Sequence, residues 1–132
     1  MKIFLKHPDR KSSAFTGTFA STVTEMATPY ASPQEKGARC DVYRVKLSSG
    51  VPEAPSLIVE ASEPFVFSAL HADATDWQAP RKETILCIDH KLLGLGNGSC
   101  GPATLKRFWV PVQPYEFDLT MRVSAGSGRQ VD

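Results

Sequence analysis

The chain has 132 residues, 15 Lys and Arg against 14 Asp and Glu, and is 42% hydrophobic and 22% charged. That length supports one compact domain with a radius of gyration of roughly 14 Å, and the composition excludes intrinsic disorder. A net charge of +1 offers no field that would draw nucleic acid or an acidic membrane, and no run approaches the ~20 apolar residues of a membrane helix.

At the start, only Ile3, Phe4 and Leu5 are consecutively apolar, too few for a secretion-signal core, so the expectation is a cytoplasmic protein. Phe15, Phe19 and Val23 fit either a helical stripe or a strand face, and the density of Thr and Gly around them favours extended chain. Short apolar runs rich in β-branched and aromatic residues then predict strands at Asp41–Leu47, Leu57–Ala61, Phe65–Leu70, Thr84–Asp89 and Leu105–Val110. Turn formers separate them at Ser48-Ser49-Gly50, Ser62-Glu63-Pro64 and Gly94 through Pro102. One helical turn fits Leu70–Trp77, with Asp73 as cap. The clearest signal is Tyr115, Phe117, Leu119, Met121 and Val123 alternating with Glu116, Asp118, Thr120 and Arg122. Period two with one apolar face predicts a half-buried strand, opened by Gln113-Pro114 and followed by a frayed tail over 124–132.

Ten prolines and nine glycines spread along the chain forbid long helices, so the fold class is all-β, an antiparallel β-sandwich or part of one, in a single domain over 1–132. Cys40, Cys87 and Cys100 are odd in number and form no C-x-x-C pair, and His7, His71 and His90 are never at metal-ligand spacing. Neither a disulfide framework nor a zinc site is expected, and no cofactor is. The sequon Asn97-Gly98-Ser99 is idle without secretion.

Four local sequences are more particular than generic β structure. They are Lys6-His7-Pro8-Asp9-Arg10-Lys11; Pro33-Gln34-Glu35-Lys36-Gly37-Ala38-Arg39-Cys40-Asp41-Val42; Phe67-Ser68-Ala69-Leu70-His71; and Ile88-Asp89-His90-Lys91-Leu92-Leu93-Gly94-Leu95-Gly96-Asn97-Gly98-Ser99-Cys100-Gly101-Pro102. In this order they resemble the C-terminal, small-chain domain of family 2 β-galactosidases, from about Pro8 to Val123. The resemblance implies half of a galactose-mutarotase-like supersandwich. It also implies that the catalytic glutamates lie elsewhere, in a barrel that 132 residues cannot form. In the family the glycine-rich loop lends a tryptophan to the sugar; the aligned residue here is Cys100, which has no π face.

The candidate substrate-binding residues are Asn97, Ser99 and Cys100 on that loop, Gln34, Glu35 and Arg39 at a strand start, and His71. Each has a structural alternative: a turn, a local ion pair, a hydrogen-bonded histidine at a strand end. Trp77 and Trp109 could replace the missing platform or serve as core and rim residues. Three functions compete. An accessory module of a β-galactosidase, inactive alone, would meet galactoside only through the assembled enzyme and its missing domains. A free-standing carbohydrate-binding sandwich would bind sugar itself. A mutarotase-like enzyme would use His71 and Glu35 as acid and base. Half a sandwich leaves unpaired strand groups and an uncovered apolar face, so a homo-oligomer is expected.

Overall fold

The computed structural model describes residues 16–27, 37–72 and 80–126. A single turn of helix, α1 (Val23–Met26), is set by a capping box: the Thr22 hydroxyl accepts from the Glu25 N–H, and the Glu25 carboxylate accepts from the Thr22 N–H. Those hydrogen bonds, the backbone one first, hold the Glu25 carboxyl below its usual pKa. Four antiparallel strands follow: β1 (Arg39–Ser48), β2 (Ser56–Leu70), β3 (Ile85–Asp89) and β4 (Thr120–Ser124). The all-β, antiparallel class read from the sequence is the class observed.

The sheet is organised around β2, which has 15 residues. One edge pairs with β1 through a hairpin that returns from Ser48 to Ser56. The other edge is shared end to end: β4 pairs with Ser56–Glu60 and β3 with Val66–Leu70. Between these two stretches the β1–β2 ladder is broken twice. From Arg39 to Val42 β1 advances three residues while β2 goes only from Phe67 to Phe65, so β1 carries one extra residue; Asp41, with φ of 55°, lies in this step. From Val42 to Arg44 β1 advances two while β2 goes from Phe65 to Glu60, so β2 carries three extra residues.

Alternation sends Val59, Phe65, Phe67 and Ala69 of β2 to one face, with Val42 and Val45 of β1 beside them and Met26 packed on top. Leu86 and Ile88 of β3 pair with Ala69 and Phe67 and extend this core. The opposite face carries a second, smaller buried cluster, Cys40 and Val66 with Ala38 and Leu92 against them, and beyond it Ile58 and a charged patch. There the Glu60 carboxylate lies between Arg44 at 3.1 Å and Arg122 at 3.3 Å, a three-strand charge ladder with its side chains one-third to one-half exposed.

Several expected elements take another form. The turn at Ser62-Glu63-Pro64 is a bulge inside one continuous strand, because the chain passes Pro64 where β2 has no ladder partner for its missing N–H to serve. Leu105–Val110 is not a strand; Lys106–Phe108 forms a 3-10 turn, closed by Phe108 N–H to Leu105 carbonyl at 2.8 Å. Of the long alternating strand only Thr120–Ser124 pairs, and its apolar side is not half-buried: Met121 is 55% and Val123 72% exposed. The extended chain favoured around Val23 gives way to the helical turn α1. The single turn expected over Leu70–Trp77 begins inside β2, and residues 73–79 lie outside the described residues.

Candidate functional site

The glycine-rich loop after β3 is held from within. Thr104 is buried, and its hydroxyl lies 3.0 Å from the Gly94 carbonyl and 2.9 Å from that of Gly96. The Thr104 carbonyl in turn accepts a 2.7 Å hydrogen bond from the Trp109 indole N–H, and the Gly94 N–H reaches the Phe108 carbonyl at 3.1 Å. One threonine thus ties both ends of the loop to the 3-10 turn. Gly96 must be glycine: its φ is 125°, and a Cβ there would stand 2.5 Å from the Thr104 nitrogen.

The tip of the loop is exposed from Gly96 to Ala103. Asn97 spends its carboxamide oxygen locally, accepting from the Ser99 N–H at 2.9 Å, a side-chain-built turn. Ser99 and Cys100 share a weak O···S contact at 3.9 Å, and the Cys100 thiol is exposed. The structure therefore brings Asn97, Ser99 and Cys100 together on one presented tip.

It does not bring the other predicted residues to that tip. His71 follows the end of β2, beside the start of β3, and its Nδ1 lies 3.3 Å from the Glu83 carbonyl. The loop leaves the far end of β3, about 13 Å away at strand rise. Arg39 starts β1 opposite Phe67, and its guanidinium donates to the carbonyls of Gly37 at 2.9 Å and Ala38 at 3.3 Å. Burial pulls its pKa below the usual value, with Cys40 acting in the opposite sense. The side chains of His71 and Arg39 thus both meet local backbone carbonyls. Gln34 and Glu35 lie outside the described residues, as does Trp77.

The two ladder breaks open a cleft of about 300 Å³ that the sequence did not announce. Its walls include Asp41 and Glu63 from the bulges, His90 and Lys91 from the end of β3, and Arg107 and Trp109 from the 3-10 turn. His90 is held stacked on Phe117, ring centroids 4.6 Å apart, edge-on to Tyr115, with Nε2 3.6 Å from the Glu63 carboxylate. The Lys91 ammonium sits 4.7 Å over the Tyr115 ring. Trp109 is 53% exposed. Nothing in residue spacing pairs Glu63 with His90; only the bulge does. Thr104 carries no sequence signature either, being one threonine after a turn.

Among the described residues no His, Cys, Asp and Glu group could hold a metal ion, and no helix is long and apolar enough to cross a membrane.

Comparison with known proteins agrees with this architecture. The family described as β-galactosidase small chain matches residues 6–121. Among curated relatives, a β-galactosidase of Vibrio cholerae is 30% identical over 128 residues, covering 92% of this chain and 12% of that protein. A β-galactosidase of Pseudoalteromonas haloplanktis is 28% identical over 127 residues, covering 89% of this chain and 11% of the relative. One of Actinobacillus pleuropneumoniae is 30% identical over 104 residues, 71% and 10%. The chain thus spans only about a tenth of the length of the enzymes it matches, while most of its own length takes part in the match. It belongs to the β-galactosidase small-chain family.

Proposed function

We propose that this chain is an accessory, C-terminal-type module of a β-galactosidase, a single unit over 1–132 that completes a mutarotase-like sandwich and is inactive alone. It works in the cytoplasm, contacts galactoside only as part of the assembled enzyme, and that assembly is oligomeric. The observation that carries this reading is the extent of the match: residues 6–121 of the chain against small fractions of much longer enzymes.

Two physical features support it. Retaining glycosidases need two carboxyl groups about 5 Å apart across the bond they break. Three of the glutamates here already serve other ends: Glu25 caps α1, Glu60 joins two arginines and Glu63 faces His90. In addition, the apolar side of β4 continues the core face yet stays exposed, as suits a surface made to be covered.

In the assembled enzyme the tip carrying Asn97, Ser99 and Cys100 is the part presented to substrate, through hydroxyl, amide and backbone groups rather than an indole. Gln34, Glu35, Arg39 and His71 are secondary candidates for that contact; of these, Arg39 and His71 bond to local backbone carbonyls.

The test is complementation. The chain is mixed with a β-galactosidase from which the matching C-terminal stretch has been removed, and hydrolysis of o-nitrophenyl β-galactoside is followed. Neither component should hydrolyse it alone, and the mixture should. Hydrolysis by the chain alone would refute the reading, and so would a mixture that neither associates on size exclusion nor gains activity.

A further inference from the structure

The outer edge of β4 is open. On one side β4 pairs with β2, and no described residue hydrogen-bonds to its other side. The alternating stretch before it, 116–119, lies outside any ladder as well. We propose that this edge binds a second copy of the chain, the two β4 strands running antiparallel about a two-fold axis at Thr120. The proposal names the contact for the oligomer in the accessory-module reading, and it rests on that reading for its place in the enzyme.

An open strand edge is a template for another strand, and sheets that avoid such pairing guard their edges with proline, lysine or a bulge. From Glu116 to Ser124 there is no proline and no lysine, and the β2–β4 register is unbroken. Arg122 does not guard the edge, because it turns toward β2: its Nε and Nη2 lie 3.4 and 3.3 Å from the Glu60 carboxylate. Two-fold pairing keeps each face of the sheet on its own side. On the apolar face it sets Met121 opposite Leu119 of the second copy, and Val123 opposite its Phe117. Met121 is 55% and Val123 72% exposed, so both have apolar area left for a cross-strand neighbour.

Charge selects the register. On the polar face, an axis at Thr120 sets Arg122 opposite Asp118 of the second copy, twice by symmetry. Asp118 is exposed and has no ion pair among the described residues. The Nη1 of Arg122 is not used by Glu60 and stays open to a second carboxylate. An axis at Arg122 would set two arginines face to face, and one at Met121 would leave Arg122 opposite Thr120. An axis at Leu119 would offer Glu116 to Arg122, but it would set Ser124 opposite Pro114, which has no N–H for a ladder. It would also set Val123 against Tyr115, whose ring already carries the Lys91 ammonium and meets His90. Pairing at Thr120 occupies the edge of β4 and leaves its apolar face for a further layer.

The full chain alone is followed by sedimentation velocity from about 5 to 500 μM, with amide hydrogen exchange at both ends of that range. So small an interface gives a weak dimer, with a Kd of roughly 10–100 μM. Amides of 116–124 should gain protection at the higher concentration, and those of 42–48 on β1 should not. Asp118→Arg, which sets arginine against arginine, should weaken the dimer about tenfold, the order of two cross-strand charge pairs turned repulsive. Asp118→Asn should weaken it by less. Glu116→Arg makes the same change of charge away from Arg122 and should alter the Kd about twofold at most. Circular dichroism checks that each variant keeps the fold. A chain monomeric throughout, protection arising outside 116–124, an unchanged Kd in Asp118→Arg, or Glu116→Arg as damaging as Asp118→Arg would each overturn the proposal. So would amides of 116–124 protected only when the truncated β-galactosidase is added, since the edge would then belong to the rest of the enzyme. Complementation judges the accessory-module reading separately: a chain that complements yet never dimerises defeats this pairing alone.

Discussion

The Thr104 hydroxyl is the smallest group on which the glycine loop depends, and its removal can be worked out from the structure. In Thr104→Val the side-chain volume stays while the O–H disappears. The hydroxyl has one proton shared between two carbonyl oxygens, at 3.0 Å from Gly94 and 2.9 Å from Gly96. Gly94 is buried, so its carbonyl loses this partner away from water, at about 1–3 kcal/mol. Gly96 is exposed, and water takes the place of the hydroxyl there. The backbone contacts, Trp109 to the Thr104 carbonyl and Gly94 to Phe108, do not involve the hydroxyl and persist. The net loss is about 2 kcal/mol. At roughly 3 °C per kcal/mol for a chain of this size, Tm falls by about 6 °C in a thermal melt followed by circular dichroism. Thr104→Ser, which keeps the hydroxyl, should lose less than half as much. A Thr104→Val variant melting within about 1 °C of the parent would refute this account, as would a serine variant equally destabilised.

Two further outcomes follow from the bulge and from β3. Asp41 holds φ 55°, so of two variants that both lack its carboxylate, Asp41→Val, β-branched in a left-handed position, should be about 1–2 kcal/mol less stable than Asp41→Gly in urea unfolding; equal midpoints for the two would remove backbone strain as the cause. Burial raises the Asp89 carboxyl above its usual pKa, so the folded protein holds that proton more tightly than the unfolded chain does. The resulting contribution to stability is full below the unfolded pKa and is lost as pH rises through the raised folded one. Asp89→Asn should therefore be more stable than the parent at neutral pH, with the difference closing on acidification; a difference independent of pH would contradict it.

Strand residues facing the core were legible because period two survives in sequence: Val42, Phe65, Phe67 and Ala69 are where alternation puts them. Long-range accommodation was not. Pro64 reads as a turn because proline cannot serve a ladder. Yet β1 jumps its register across this stretch, β4 stops at Glu60 and β3 begins at Val66, so no partner asks for its N–H. The same bulge shortens β4. Its ladder runs from Ser124 to Thr120 and ends where β2 leaves register at Glu60, so Tyr115–Leu119 keep the alternating pattern outside any strand, with Phe117 and Leu119 packed against the core. Phe117 also stacks on His90, and the Tyr115 hydroxyl donates to the Pro111 carbonyl at 2.7 Å. On the site, the loop tip was legible from its glycines, whereas the cleft depends on two strands losing register at one place. No local pattern encodes that.

The exposed side of β4 bears on what the module is for. Register places Met121 beside Val59 and Val123 beside Leu57, on the face whose other residues form the core. Val59 is fully buried, while Met121 and Val123 are 55% and 72% exposed, so coverage of that face stops at the β2–β4 boundary. Fully burying side chains of this kind is worth about 1.5–3 kcal/mol each, and β4 forgoes much of that for both. The polar side of the strand cannot account for the pattern. Thr120 and Arg122 face Glu60 and Ile58 with only the single Arg122–Glu60 ion pair between exposed groups, which contributes ~1 kcal/mol or less. Alternation that yields so little within the chain makes sense when a further layer lies over Met121 and Val123. The relatives, of which the matched stretch is 10–12%, have chain enough to supply one.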